Sequence, residues 1–266
     1  MSGERGGFTV IFLTESRRLL RSRKLKVLFL ITFFPALIYL LNPSPSGNGL
    51  DAMRKAFQGL MVDLIPNYWL GIIGELIAII LMSDLLAGEI DRGTIRLLIA
   101  RPVKFSEIVG AKFAGGMVAL TALFGIPYLA IWLYSALVYR TGLSGLSGSL
   151  PDFLLSLGAT LLVVAALGSL ALFVSALITR PLYSALATFG VLFLVQFLIP
   201  QIPYIQNPER YTLGYQTVVL LKAGFNKVDL SSFTGTPWHV AAFFSVLVAA
   251  FLFLTWLVLS RREFPE

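Results

Sequence analysis

Six stretches of the chain are apolar for long enough to cross hydrocarbon, which takes roughly 20 residues for about 30 Å. They run over residues 27–41, 68–87, 108–139, 153–178, 183–199 and 238–259. Pro35 interrupts the first, which ends at the turn-rich Asn42-Pro43-Ser44-Pro45-Ser46-Gly47. The third is longer than a bilayer is wide, so it should tilt, kink at Pro127 or project beyond the membrane. Pro151 and Asp152 precede the fourth, Pro181 and Pro200 bracket the fifth, and Ser260-Arg261-Arg262 closes the sixth. The pattern predicts an all-α integral membrane protein, one transmembrane domain over residues 1–266. The connections 42–67 and 200–237 are too long for simple turns. Within the second, Val218–Phe225 is too short to span and reads as an interfacial or re-entrant piece.

Composition agrees. Of 266 residues, 57% are hydrophobic and 13% charged, with mean hydropathy +0.82, which rules out a soluble enzyme or a disordered chain. The absence of Cys removes thiolate metal sites, redox motifs and a disulfide scaffold.

The net charge of +7 invites a nucleic-acid reading, but the basic residues flank the apolar runs. With the N-terminus inside, the inner side holds Arg5, Arg17, Arg18, Arg21, Arg23, Lys24 and Lys26 before the first span. The second connection adds Arg92, Arg96, Arg101, Lys104 and Lys112, and Arg180, Arg261 and Arg262 complete the set. Arg54, Lys55, Arg140, Arg210, Lys222 and Lys227 remain outside. Positive charge is retained on the cytoplasmic side, so both termini are expected there, in a multi-pass protein of the plasma membrane. Membrane lipid, not nucleic acid, is the partner this charge implies.

The N-terminal segment has no small-residue cleavage site after its apolar run and does not read as a signal peptide. Over residues 8–24, Phe8, Phe12 and Leu19 share one helical arc while Arg17, Arg21 and Lys24 share the other, the pattern of an amphipathic helix in the inner interface. A basic flank that merely enforces topology is the plainer reading of the same residues.

Residues 84–112 carry the most information: D-L-L-A-G-E-I-D-R-G-T-I-R-L-L-I-A-R-P-V-K-F-S-E-I-V-G-A-K. Gly93 should end the helix descending from the second span, and Thr94 is placed to cap a new short one. Ile95–Ala100 offers a turn or two with Leu97 and Leu98 apolar and Arg96 and Arg101 beside them. Pro102 stops it, and Ser106 and Glu107 restart the chain as cap and first turn of the third span. A short helix over 93–106 with exposed leucines rimmed by charge is what a partner-binding knob would show.

The order Glu89, Gly93-Thr94, Leu97-Leu98, Pro102-Val103, Lys112 resembles the signature of type-2 ABC exporter permeases, the membrane subunits of ATP-driven exporters. Lys104-Phe105 departs from the small polar residue and Arg usual there. The resemblance implies that 93–106 is a coupling helix docking into a separate cytoplasmic ABC ATPase. Arg96, Leu97 and Leu98 would touch that ATPase, and Glu89 with Asp91 and Arg92 would anchor the second helix by ion pairing. It also implies a homodimer, or a heterodimer with a homologous permease, lining a path worked by alternating access. The chain has no G-x-x-x-x-G-K-[ST] loop, so ATP belongs to the partner, with no cofactor or metal expected here and no enzymatic activity of its own.

Glu75 lies well inside the second span, where a carboxylate costs about 2.5–3.5 kcal/mol, so it should be neutral, paired or facing a hydrated cavity such as the translocation path. A second resemblance is to rhomboid intramembrane serine proteases: Ser144 or Ser147 before the fourth span, and His239 opening the sixth. Nucleophilic catalysis needs Ser and His within hydrogen-bond reach. A Gly-Ser-rich outer loop and an interfacial His explain the same residues. A secondary transporter is the third reading, though no inverted repeat is visible.

Overall fold

The computed structural model describes residues 7–42, 47–95, 103–198, 201 and 208–262. The regular elements among them are helical. They are α1 (Gly7–Leu20), α2 (Arg23–Leu41), α3 (Leu50–Leu64), α4 (Ile72–Ser83), α5 (Ala87–Asp91), α6 (Phe105–Val138), α7 (Gly142–Leu177), α8 (Pro181–Phe193), α9 (Leu213–Leu221) and α10 (Pro237–Arg261). Single π-helical turns follow α3 (Ile65–Trp69) and α8 (Leu194–Leu198), and a 3-10 turn covers Pro208–Tyr211.

Five helices are long and apolar enough to cross a membrane: α2, α6, α7, α8 with its π turn, and α10. A bent helix pair, second in chain order, makes a sixth crossing when counted as one span. Leu50–Trp69 and Ile72–Ser83 meet at a bend of 57°, so the run expected over 68–87 is mostly α4, whose 12 residues rise only about 18 Å. The bend sits where Pro66 has no N–H to give, and where a Cβ on Gly71 or Gly74 would strike the Asn67 or Trp69 carbonyl.

α6 and α7 run antiparallel, with Tyr128 bonded to Thr160 at 2.6 Å and Trp132 stacked on Phe153 at 4.8 Å. α6 therefore starts where α7 ends, and both described termini gather there: α1 lies along the first turns of α6, and Arg262 bonds the Ala176 carbonyl. We call this the terminal face. At 34 and 36 residues, α6 and α7 measure about 51 and 54 Å, well beyond about 30 Å of hydrocarbon. The excess of α7 lies on the opposite, far face. Residues 142–148, expected as a Gly-Ser loop, are the first turns of α7, and the 42–67 connection contains α3. Met53 of α3 packs with Ala136 and Tyr139, and Arg54 clasps Asp152 at 2.7 and 3.0 Å. The interfacial piece expected near Val218–Phe225 is α9, Leu213–Leu221, its N-terminus capped by the Thr212 hydroxyl.

The core explains the contact between the first two crossings. Pro35 lacks an N–H, so the Ile31 carbonyl in α2 loses its helical donor. Tyr68 supplies one, its hydroxyl 2.7 Å from Ile31 O, and Trp69 Nε1 donates to Thr32 O at 3.1 Å. Trp69 also stacks on Tyr128 of α6 at 4.3 Å, both rings fully buried.

Candidate functional site

On the terminal face, four charged side chains from three elements meet between the two flanks of the 93–106 connection. Lys112, two turns into α6, is completely buried. Its Nζ stands 2.6 Å from Glu89 Oε1 of α5 and 3.8 Å from Glu15 Oε2 of α1. Arg18 closes the ring, 2.5 Å from Glu15 Oε1 and 3.5 Å from Glu89 Oε1. Two cations face two carboxylates, which is the condition for burying such groups, since each alone costs several kcal/mol. Burial holds the Glu15 carboxyl above the usual carboxylate range, while Lys112 and Arg18 pull it back.

Local sequence places each member. The single turn of α5 presents Glu89 inward and ends at Gly93, whose φ of +70° suits glycine. Thr94, expected to cap the following helix, donates its hydroxyl back to Glu89 O at 3.3 Å. On the other side, the Glu107 carboxylate accepts from Lys104 N at 3.2 Å and starts α6. α1 comes this close because position 115 is glycine: a Cβ there would lie 3.1 Å from Glu15 Cβ. A break at Arg21 and Ser22 separates α1 from α2, and Ser22 caps α2 by accepting from Leu25 N at 3.1 Å, so the expected 8–24 helix stops at Leu20. A second pair, Lys24–Asp84 at 3.7 Å, ties α2 to the end of α4.

Of the residues singled out in the sequence, Glu89 and Lys112 are brought together, and Asp91, Arg92, Gly93 and Thr94 are exposed at the rim. Arg96, Leu97, Leu98 and Pro102 lie outside the described residues. Glu15 and Arg18 were missed. The available signal was that Glu15 is the one acidic residue between Glu4 and Asp51, in a segment otherwise rich in Arg and Lys.

Glu75 occupies the first turn of α4, beside the break, and is 2% exposed. Its Oε1 accepts from Gln196 Nε2 at 2.7 Å, and Gln196 Oε1 accepts from Leu213 N at 3.3 Å. One polar chain thus joins α4, the π turn after α8, and α9. A cavity of about 620 Å³ opens beside it between Pro66, Asn67, Gly71, Gln196 and Tyr215. Gln196 carried no sequence signal, being a lone amide in an apolar run.

The serines and the histidine are apart. α7 and α10 run side by side in the same direction, with Phe173 against Phe251. His239, twelve residues before Phe251, is level with about residue 161 of α7, and Ser147 lies about 21 Å further along the axis. The Ser144 and Ser147 hydroxyls donate to the carbonyls of Thr141 and Ser144. No Ser–His pair forms for acyl transfer.

The chain is thus a helical bundle with five apolar crossings, a bent helix pair as the second in order, and an ion cluster joining the two flanks of the connection that follows it. The chain matches the family described as ABC-2 family transporter protein over residues 9–264 and belongs to that family. None of the curated proteins matches it.

Proposed function

We propose that the chain is the permease subunit of an ATP-driven exporter, worked through residues 93–106 by a separate cytoplasmic ATPase. The observation that carries this reading is the buried cluster Glu15–Arg18–Glu89–Lys112, which holds both flanks of that connection. Glu89 precedes it, Lys112 follows it, and the two are paired with each other at 2.6 Å. A push on the connection is then delivered to the ends of α5 and α6 and to α1 together, not absorbed by a loose loop. Family membership supports the transporter class; the resemblance in residues 89–112 supports the coupling role and the outward direction.

The terminal face is the cytoplasmic one in this reading, because Arg17, Arg18, Arg21, Arg23, Lys24, Lys26 and Arg262 gather there. Two such chains, or one with a homologue, line the path, and ATP-driven closure of the ATPases switches its access. Glu75 belongs to the path side of the bundle, since its clasp borders the cavity at the broken crossing. ATP is bound by the partner.

Co-purification with a candidate ATPase tests this. The native chain should hold the ATPase stoichiometrically. Leu97→Asp combined with Leu98→Asp should release it while the permease keeps its helicity and elution volume. Retention of the ATPase by that double variant removes 93–106 from the coupling role.

A further inference from the structure

α8 and α10 both pack on α7 and leave a gap between them. Leu167 and Leu170 of α7 floor this gap, Val191 and Val195 wall one side, and Phe243 and Leu247 wall the other. The cavity so formed measures about 530 Å³. It opens sideways, because its walls are exposed: Val191 46%, Val195 39% and Phe243 58%. From Val240 to Phe251 it runs about 16 Å, half of about 30 Å of hydrocarbon and so the depth of one leaflet.

Its mouth, on the far face, differs in kind. Arg210, Gln216 and His239 converge there. Gln216 Nε2 donates to the Arg210 carbonyl at 2.5 Å and fastens the 3-10 turn to α9. The Arg210 guanidinium makes no ion pair with any carboxylate whose side chain is described. On the same face Arg54 is engaged with Asp152, Lys227 with Asp51, and Lys222 with the Phe233 carbonyl, while Lys55 and Arg140 lie away from the groove. A guanidinium and an imidazole at the head of an apolar slot one leaflet deep match one chemistry, an anion joined to a hydrocarbon chain.

We propose that the groove between α8 and α10 seats an acyl chain of an anionic phospholipid from the far leaflet, with its phosphate at Arg210 and His239. A second copy of the chain is the poorer occupant. In a two-fold interface across this face, the Arg210 and His239 of one copy would face the same basic mouth on the other. The lipid enters sideways from the bilayer, and the site does not depend on the transport reading above.

Photolabelling of the full chain in vesicles tests it. Phosphatidylglycerol carrying a diazirine on one acyl chain is compared with phosphatidylcholine of the same chain, and labelled peptides are mapped by mass spectrometry. Because each basic residue near a membrane surface adds about fivefold to anionic-lipid attraction, phosphatidylglycerol should label Val191–Val195 and Phe243–Leu247 about fivefold or more above phosphatidylcholine. Arg210→Gln with His239→Gln, both at exposed positions, should bring the two lipids level, and labelling of α2 should not change. Leu170→Trp should abolish labelling of the groove by either lipid. Equal labelling by both lipids in the native chain overturns the proposal. So does a covalent dimer from Val195→Cys in this otherwise cysteine-free chain, since it would put a second copy in the groove. Neither readout involves an ATPase, so the failure of one proposal leaves the other standing.

Discussion

Replacing Lys112 by Met removes the one ammonium enclosed by the terminal-face cluster and keeps most of the side-chain volume. At 2.6 Å, with an effective dielectric near 20, its attraction to Glu89 is about 6 kcal/mol before the dehydration of both groups is charged against it. The net contribution of the pair is therefore small. The cost of breaking it is not, because Glu15 and Glu89 would stay buried with only the half-exposed Arg18 between them. Removing one partner of such a pair costs about 3–5 kcal/mol. Glu89→Leu alone should cost less, about 2–3 kcal/mol, because Lys112 keeps Glu15 at 3.8 Å. In the double variant no member is orphaned by the other's loss, so the cycle should show a coupling of about 2–3 kcal/mol. Reversible unfolding in mixed micelles with increasing sodium dodecyl sulfate, followed by circular dichroism, measures each corner. Additivity within about 0.5 kcal/mol, or a Lys112→Met cost below about 1 kcal/mol, would refute the cluster as the lock of this face.

Three more outcomes follow from the geometry. Arg54→Met leaves Asp152, 1% exposed, as a bare carboxylate on the far face and should cost about 3–5 kcal/mol, whereas Arg54→Met with Asp152→Leu should lie within about 1–2 kcal/mol of the native chain, read by the same unfolding assay. Glu15 has a folded pKa raised by burial, so the native state binds its proton more tightly than the unfolded chain does. Stability from this group is greatest at acid pH and falls as pH rises from the unfolded value of 4.5 through the raised one; Glu15→Gln should flatten that slope in unfolding measured from pH 4 to 8. In reconstituted vesicles, Glu75→Gln should lower transport and alter its pH profile, and unchanged values of both would exclude Glu75 from the path.

How far the sequence led depended on whether the information was local. Apolar runs mark crossings because lipid penalises any other segment, so α2, α6, α7, α8 and α10 were legible, as were Glu107 in the first turn of α6 and the helix end at Gly93, whereas the cap of α6 is Lys104 and not the expected Ser106. The second crossing was misplaced because hydropathy counts apolar residues and cannot see a bend. Leu50–Leu64 is amphipathic, so its polar residues hid a helix that packs on α6 and α7. Residues 142–148 read as a loop because Gly and Ser have low helix propensity, yet Ser149 and Trp132, bonded at 2.9 Å, hold this part of α7 against α6. In the site, Glu89 and Lys112 emerged from a linear motif. Glu15, Arg18 and Gln196 are joined to their partners only by the fold, across 74 residues between Glu15 and Glu89 and 121 between Glu75 and Gln196.

Two sets of polar groups inside the crossings answer breaks in helices, unlike the Tyr128–Thr160 pair between unbroken ones. Tyr68 and Trp69 serve carbonyls beside Pro35, and the Glu75–Gln196–Leu213 chain bridges elements at the bend of the second crossing. Hydrogen bonds of this kind contribute about 1 kcal/mol each, whereas orphaning a member of the terminal-face cluster costs about 3–5 kcal/mol. The two joints at the ends of α4 are therefore unequal. The one at Glu89 holds α5 to α6 and α1 by buried charge; the one at Leu70 and Gly71 is held by neutral contacts beside an open cavity. On the proposed coupling role, a displacement entering through residues 93–106 should reach the stronger joint first and be relieved at the weaker, as a change in the 57° bend. α6 and α7, unbroken over their whole lengths, provide the fixed frame against which that bend is measured.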